Sequence, residues 1–248
     1  MIKPTFLEPE DQPTVIGNVL GAPLVVKGRT GLPLIELVAW AILTWIARHK
    51  HPDWSKGKCA YAGALSAIIM LGSEWCHNLA HTVVAHKIGK PVDAIRIFYG
   101  TPLLIYYDIN DQQVTPLQHI SRASGGPLFN ALMVPLCWLV RRLTREGSLS
   151  HFVADFALGA NSFISTVSLL PIPGIDGGPL LKWSLVESGR SQAEADQVVK
   201  EVNLAMGSGL GIAAGVAFKK RRKWLGIAIS LFAATSLTIG VGLLKEQK

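Results

Sequence analysis

Residues 71–91 read LGSEWCHNLAHTVVAHKIGKP, and their reading decides what kind of protein this is. His77 and His81 stand four apart inside an apolar helical run. On an α-helix that spacing puts both side chains on one face, one turn apart. Two imidazoles so placed can hold one Zn²⁺ ion. In the pattern H-E-x-x-H the Glu is the general base toward a zinc-bound water; here Asn78 occupies that place. Taken alone, the pair also reads as two helix histidines with no metal. Cys76 neighbours His77 at about 100° around the helix, which favours a buried small hydrophobe over a soft ligand. His86, five residues after His81, points about 140° away and reads as a non-ligand.

The surroundings of this helix are those of a membrane. Hydrophobic residues make up 49% of the 248 and charged residues 17%, well below the usual quarter, and the mean hydropathy is +0.33. The apolar residues gather in long blocks, which is the pattern of an integral membrane protein. The net charge of +7 falls largely in short loops between those blocks, as in membrane-facing loops, and no nucleic-acid motif accompanies it. Three cysteines, Cys59, Cys76 and Cys137, all in apolar surroundings, make no disulfide framework.

Residues 1–30 hold Pro4, Pro9, Pro13 and Pro23 with Glu8, Glu10 and Asp11. They read as an extended or loosely folded arm rather than a cleavable leader. Apolar blocks follow at 32–47, 59–87, 123–140, 152–170, 204–218 and 224–244, giving about six membrane segments. His49 and His51 lie in the basic loop 48–58 and read as solvated. Residues 92–119 alternate and are rich in Ile and Tyr, which predicts two or three short strands between the second and third helices. Such strands cannot lie open against lipid. The third block opens with SGGPLFN, in which Gly125 and Gly126 permit close helix approach and Asn130 can hydrogen-bond across an interface. The fourth carries Asn161, Ser162, Ser165, Thr166 and Ser168 and runs into PIPGIDGGPLL, where Pro171 and Pro173 break the helix before Asp176. Residues 182–202 read as a polar surface helix. The predicted class is a mainly α, polytopic membrane helix bundle with a small β unit. Its organisation is an arm, 1–30, and one integral-membrane domain, 31–248.

A hydrolytic zinc site takes three protein ligands and keeps one open position. Asp176 is the candidate third ligand: it follows a Pro-broken helix end and precedes two glycines past which backbone can run closely. In isolation, Asp-Gly-Gly reads as a turn. The joint order, a membrane His pair, a short β unit, a G-P-x-x-N helix and a P-x-x-x-x-D-G-G element, resembles the site-2 protease family of intramembrane zinc metallopeptidases. The resemblance covers residues 59–181. It runs through His77-Asn-Leu-Ala-His81, Gly126-Pro127-Leu-Phe-Asn130 and Leu170-Pro171-Ile-Pro-Gly-Ile-Asp176-Gly177-Gly178. It implies a helical membrane bundle with Zn²⁺ held by His77, His81 and Asp176. It implies hydrolysis within or beside a transmembrane helix of a substrate, and a multi-pass location in a prokaryotic plasma membrane.

Two positions depart from that pattern. Asn78 replaces the catalytic Glu, and an amide cannot accept a proton from water at neutral pH. Ser168 stands where the family has Asn near the substrate. Glu74 lies one turn before Asn78 and on the metal face; it reads first as a polar residue bonded to neighbouring helices, then as a group orienting a ligand histidine, and last as a displaced base acting through a water. The leading expectation is a zinc-binding homologue that engages a transmembrane-helix substrate or partner in the bilayer, with proteolysis reduced or lost. The alternatives are an active metalloendopeptidase using Glu74 or another group as base, and a transporter-like bundle with a polar His/Asp path. The basic loops and the resemblance assign opposite orientations in the membrane, so orientation stays open.

Overall fold

The computed structural model describes residues 12–243; the readings made above for Pro4, Glu8, Pro9, Glu10 and Asp11 lie outside the described residues. The elements are β1 (Thr14–Val19), β2 (Ala22–Val26), α1 (Leu34–Lys50), α2 (Lys56–Lys87), β3 (Ala94–Phe98) and β4 (Thr101–Ile105). They continue with α3 (Pro116–Leu143), α4 (Leu149–Ser168), α5 (Gly177–Glu187), α6 (Gln192–Lys219) and α7 (Lys223–Gly240). The fold is mainly helical with one small sheet, as the sequence implies. Helices α2, α3, α6 and α7 are long and apolar enough to cross a membrane. At 17 residues, α1 falls short of the ~20 that span the hydrocarbon. The 20-residue α4 carries His151, Asp155 and Asn161 among its apolar residues.

The chain forms two compact units. Among the described residues, the first holds 12–113 together with Ser124–Val167. Its sheet has the order β1-β2-β3-β4. Strands β1 and β2 form an antiparallel hairpin, β2 and β3 run parallel, and β3 and β4 are again antiparallel. A parallel pair needs a crossover connection, and here the whole of α1 and α2 supplies it. Residues 14–26, expected to be part of an extended or loosely folded arm, are extended and pair into the sheet. The sequence signal was weak because β1 is exposed almost throughout, so no burial alternation marks it. Both hairpins turn through two residues of positive φ, Leu20-Gly21 and Tyr99-Gly100, the geometry that matches strand twist. Ala22, Val92 and Ile95 bury against Ala85 near the end of α2, which seats the sheet on the helix that carries the histidines.

Ser55 caps α2 by accepting from the Lys58 N–H at 3.2 Å. Ala47, Trp54, Cys59, Ala62 and Phe152 form a core where α1, α2 and α4 meet. His51 stacks on Trp54 with ring centroids 4.1 Å apart and His49 stacks on Trp45, so neither joins a metal group. Cys76, expected to be buried, is exposed, because the face of α2 next to the His pair looks outward there. His86 is exposed as well.

The second unit holds Val114–Ala123 and the chain from Ser168 onward. The polar stretch expected at 182–202 is split: α5 ends at Glu187, and α6 then runs unbroken from Gln192 through the apolar block 204–218. The split is set by Gly189, which adopts φ +99, and by a capping box between Ser191 and Glu194, a device that starts a helix. Asn203, fully buried, donates to the Pro171 carbonyl at 2.6 Å and ties α6 to the segment before α5. His119 stacks on Trp183 at 3.8 Å and accepts from Arg122 through Nδ1 at 2.9 Å. Lys182 pairs with Asp196 at 2.7 Å.

Helices α1 and α2 cross at Gly63, where a Cβ would meet the Thr44 hydroxyl and lie 2.7 Å from the Thr44 nitrogen. Backbone cannot yield as a flexible side chain does. Gly63→Ala is expected to cost about 1–3 kcal/mol, read as a lower midpoint of thermal unfolding in detergent. Gly57→Ala, where nothing lies within 4 Å, is the matched control and should leave the midpoint in place.

Candidate metal centre

The His pair sits in the second half of α2 with both side chains buried, His77 at 8% and His81 at 4% exposure. Their Nε2 atoms face one another at 3.1 Å, and the rings meet nearly edge-on, with 78° between planes. Two ligands at about 2.0–2.1 Å on one tetrahedral ion stand roughly 3.3 Å apart. The pair is already at that spacing.

What holds His77 in place is a chain of amides. Asn161 donates through Nδ2 to the Ala157 carbonyl at 2.9 Å. A backbone carbonyl can only accept, so this contact fixes which end of the Asn161 amide is nitrogen. Asn161 Oδ1 therefore accepts from Asn130 Nδ2, at 2.8 Å. Asn130 Oδ1 in turn faces His77 Nδ1 at 2.6 Å. An amide oxygen can only accept, so Nδ1 carries the proton and the lone pair of His77 lies on Nε2, toward His81. Asn130 is fully buried and Asn161 is 2% exposed. Ser73, on α2, accepts from Asn161 at 3.2 Å. A backbone group on α4 thus sets the tautomer of a histidine on α2, by way of α3.

The G-P-x-x-N segment of α3 makes room for the rings. A Cβ on Gly126 would lie 2.5 Å from His77 Nε2 and collide with His81 Nε2. The Gly126 N–H donates to His81 Nδ1 at 3.3 Å. Pro127 follows inside the helix, as does Pro135; each lacks an N–H and so frees a carbonyl one turn earlier. Leu128, Leu132 and Leu136 are exposed, so α3 shows an apolar flank outward while Asn130 faces in. Such exposure is what lipid contact accommodates.

Asp176 occupies the N-terminal boundary of α5 in a helical conformation, and its side chain does not cap that helix. One ligand atom from each of His77, His81 and Asp176 falls within 4.8 Å of the others, a His–His–Asp group that could hold a metal ion. Among the described residues no other group of three or more His, Cys, Asp or Glu side chains is so arranged. The donor types fit zinc, since imidazole and carboxylate are its common ligands.

The other expected residues take these places. Asn78 donates through Nδ2 to the Glu74 carbonyl, 2.9 Å away, so its nitrogen is committed to its own helix. Glu74 is half-buried and lies within electrostatic reach of His77 and of Glu36. The partner seen at His77 Nδ1 is Asn130 and not Glu74. Ser168 is buried at the last residue of α4. Sequence reading did not assign Asn161 or Ser73 to the site. The available signal was an Asn in an apolar helix, which demands a partner. Glu36, whose two carboxylate oxygens are buried with no hydrogen-bond partner among the described residues, was also missed.

No family profile matches the chain. It is 27% identical over 135 residues to Putative zinc metalloprotease MJ0611 of Methanocaldococcus jannaschii, covering 48% of this chain and 70% of that protein. It is 29% identical over 203 residues to Putative zinc metalloprotease Rip3 of Mycobacterium tuberculosis, covering 73% of this chain and 49% of that one. The match thus spans only about half the length of Rip3. Among solved structures, the site-2 protease of Methanocaldococcus jannaschii shares the fold, with a TM-score of 0.52 over 92% of this chain and 95% of that one, at 14% identity. Four membrane-length helices, a small sheet and a His–His–Asp group define a multi-pass membrane protein of zinc-metallopeptidase-like build. Within that class, the likeness to putative zinc metalloproteases in sequence and to a site-2 protease in fold supports the site-2 protease family.

The amide chain predicts an effect at a distance. Asn161→Leu keeps the volume of the side chain and removes the polarity that orients Asn130 and His77. Loss of such an outer partner lowers metal affinity about 10–100-fold. Zinc competition against a chromophoric chelator should show that drop while the helical circular dichroism stays unchanged.

Proposed function

We propose that this protein is a zinc-binding site-2-protease homologue whose peptidase activity is reduced or lost, and that it engages a transmembrane helix, substrate or partner, within the bilayer. His77, His81 and Asp176 are the ligands in this reading. When bound, zinc would supply Lewis acidity toward a carbonyl or water oxygen. The amide oxygen of Asn130 keeps the His77 lone pair on Nε2, and Gly126 and Pro127 keep α3 clear of the rings.

The observation that carries the reading is Asn78. Peptide hydrolysis needs a group that takes a proton from water and passes it to the leaving amine. A carboxamide does neither at neutral pH, and the Asn78 nitrogen is held by the Glu74 carbonyl. Loss of general acid–base catalysis typically removes about 10²–10⁴-fold in rate, while the ligand set stays intact. Engagement of a helix without turnover is the function this combination supports. Ser168 enters the same reading as a shorter replacement for an amide beside the bound segment. The matched relatives come from an archaeon and a bacterium, in keeping with a prokaryotic plasma membrane.

A second reading keeps the enzyme active with Glu74 as base. Its support is the electrostatic reach between Glu74 and His77. The two readings separate cleanly. Purified protein is expected to hold zinc in about 1:1 ratio by metal analysis, lost in His77→Ala. Against a panel of membrane-helix substrates, Asn78→Glu is expected to raise cleavage by about 10²-fold or more over wild type. Strong wild-type cleavage abolished by Glu74→Gln, with zinc retained, would establish the second reading instead.

A further inference from the structure

An apolar recess lies apart from the candidate metal ligands. It is a slot of about 510 Å³ lined by the first half of α2, the second half of α3 and the first half of α4, among them Tyr61, Ile69, Leu136, Val140 and Ala157. Its volume falls in the range of ligand sites, about 300–1,000 Å³. Ile69 is eight residues before His77, so the slot stops roughly 12 Å short of that histidine along α2. None of the three expected metal ligands lines it, although Ala157, whose carbonyl anchors the amide chain, forms part of its wall.

Two properties say what fits it. The first is length. The lining runs from Tyr61 to Ile69 on α2, from Met133 on α3 to Thr144 just past its end, and from Leu149 to Ala157 on α4. At 1.5 Å per residue those stretches are roughly 12–17 Å long. The hydrocarbon core is about 30 Å thick, so the slot has the depth of one leaflet. A transmembrane helix would need contacts over both leaflets and small residues along the wall, but the wall is mostly Leu, Ile, Met and Val. The second property is its end. The slot finishes at Thr144 and Ser150, where α2 begins, α3 ends and α4 begins. Residues 48–58 and 141–155 carry seven Lys and Arg against three Asp and Glu. Arg141 is paired with Asp155 at 2.7 Å. Arg142 lies over the Trp138 ring at 5.2 Å, and neither Arg142 nor Arg145 makes an ion pair among the described residues. Both are exposed. Clusters of cations at a helix end attract anionic headgroups, and Tyr61, exposed at 57%, is a residue type that favours the membrane interface.

We infer that this slot binds one acyl chain of an anionic phospholipid whose phosphate group sits on Arg142 and Arg145. The apolar wall takes the chain, the Thr144 and Ser150 end takes the glycerol region, and the arginines select for negative charge.

The test uses the full-length protein in nanodiscs of phosphatidylcholine with a spin-labelled phosphatidylglycerol or phosphatidylcholine as probe. Wild type is expected to immobilise the anionic probe in preference to the zwitterionic one. Each cation near an anionic headgroup contributes about fivefold, so Arg142→Gln with Arg145→Gln should cut that preference by roughly 25-fold. Ala157→Phe, which fills the slot, should release both probes. A photo-reactive residue in place of Leu136 should crosslink to lipid. Equal immobilisation of the two probes by wild type, unchanged lipid retention in Ala157→Phe at wild-type thermal stability, or a protein-sized adduct at position 136 would overturn the assignment. Because the arginine variants change only exposed side chains, their result stands even if Ala157→Phe fails to fold.

Discussion

The candidate metal centre depends on one donor–acceptor constraint: a backbone carbonyl cannot donate. Ala157 O accepts from Asn161, and that single polarity passes through two buried amides to His77. Were either amide reversed, like atoms would face each other at buried positions, at a cost of about 1–3 kcal/mol per unsatisfied group. The arrangement also explains why α3 and α4 carry Asn at positions where Leu would pack more simply. In an apolar bundle, buried amides are tolerated when each polar end finds a partner. Asn130, Asn161 and Ser73 satisfy one another and in doing so lock three helices at one level.

The His pair and the Gly126 cradle then follow from packing. Close approach of α3 to α2 requires a residue without a Cβ beside the rings, and the two Nε2 atoms are left facing each other across a gap of metal-ligand dimensions. Asn78 stands on the same helix with its nitrogen turned back to the preceding turn. The expected ligands and the residue at the place of the expected base are therefore held by different contacts.

Much of this was legible in the sequence. The i, i+4 spacing of His77 and His81, the helix-breaking prolines before Asp176 and the G-P-x-x-N segment all reflect local rules. The helical class followed from apolar block lengths. The β3–β4 hairpin followed from alternation and turn residues. What escaped were features that need a partner distant in sequence. Strand β1 has no buried face to mark it. The role of Asn161 depends on residues 24 to 88 positions away. The continuity of α6 across a polar and an apolar half was hidden because composition, and not helix propensity, changes at its middle. The outward facing of Cys76 could not be known until α2 had been placed against its neighbours.

The parallel pairing of β2 with β3 has a consequence for assembly. Thr30 reaches the Ile97 carbonyl across 67 residues, and everything between is α1, α2 and their connections. The sheet is thus a high-contact-order element whose closure waits on a membrane hairpin being in place. During synthesis, residues 14–26 leave the ribosome long before their partner strand exists. Their order of emergence makes the sheet a late clasp, fastened only after the helix bearing the two imidazoles has been inserted.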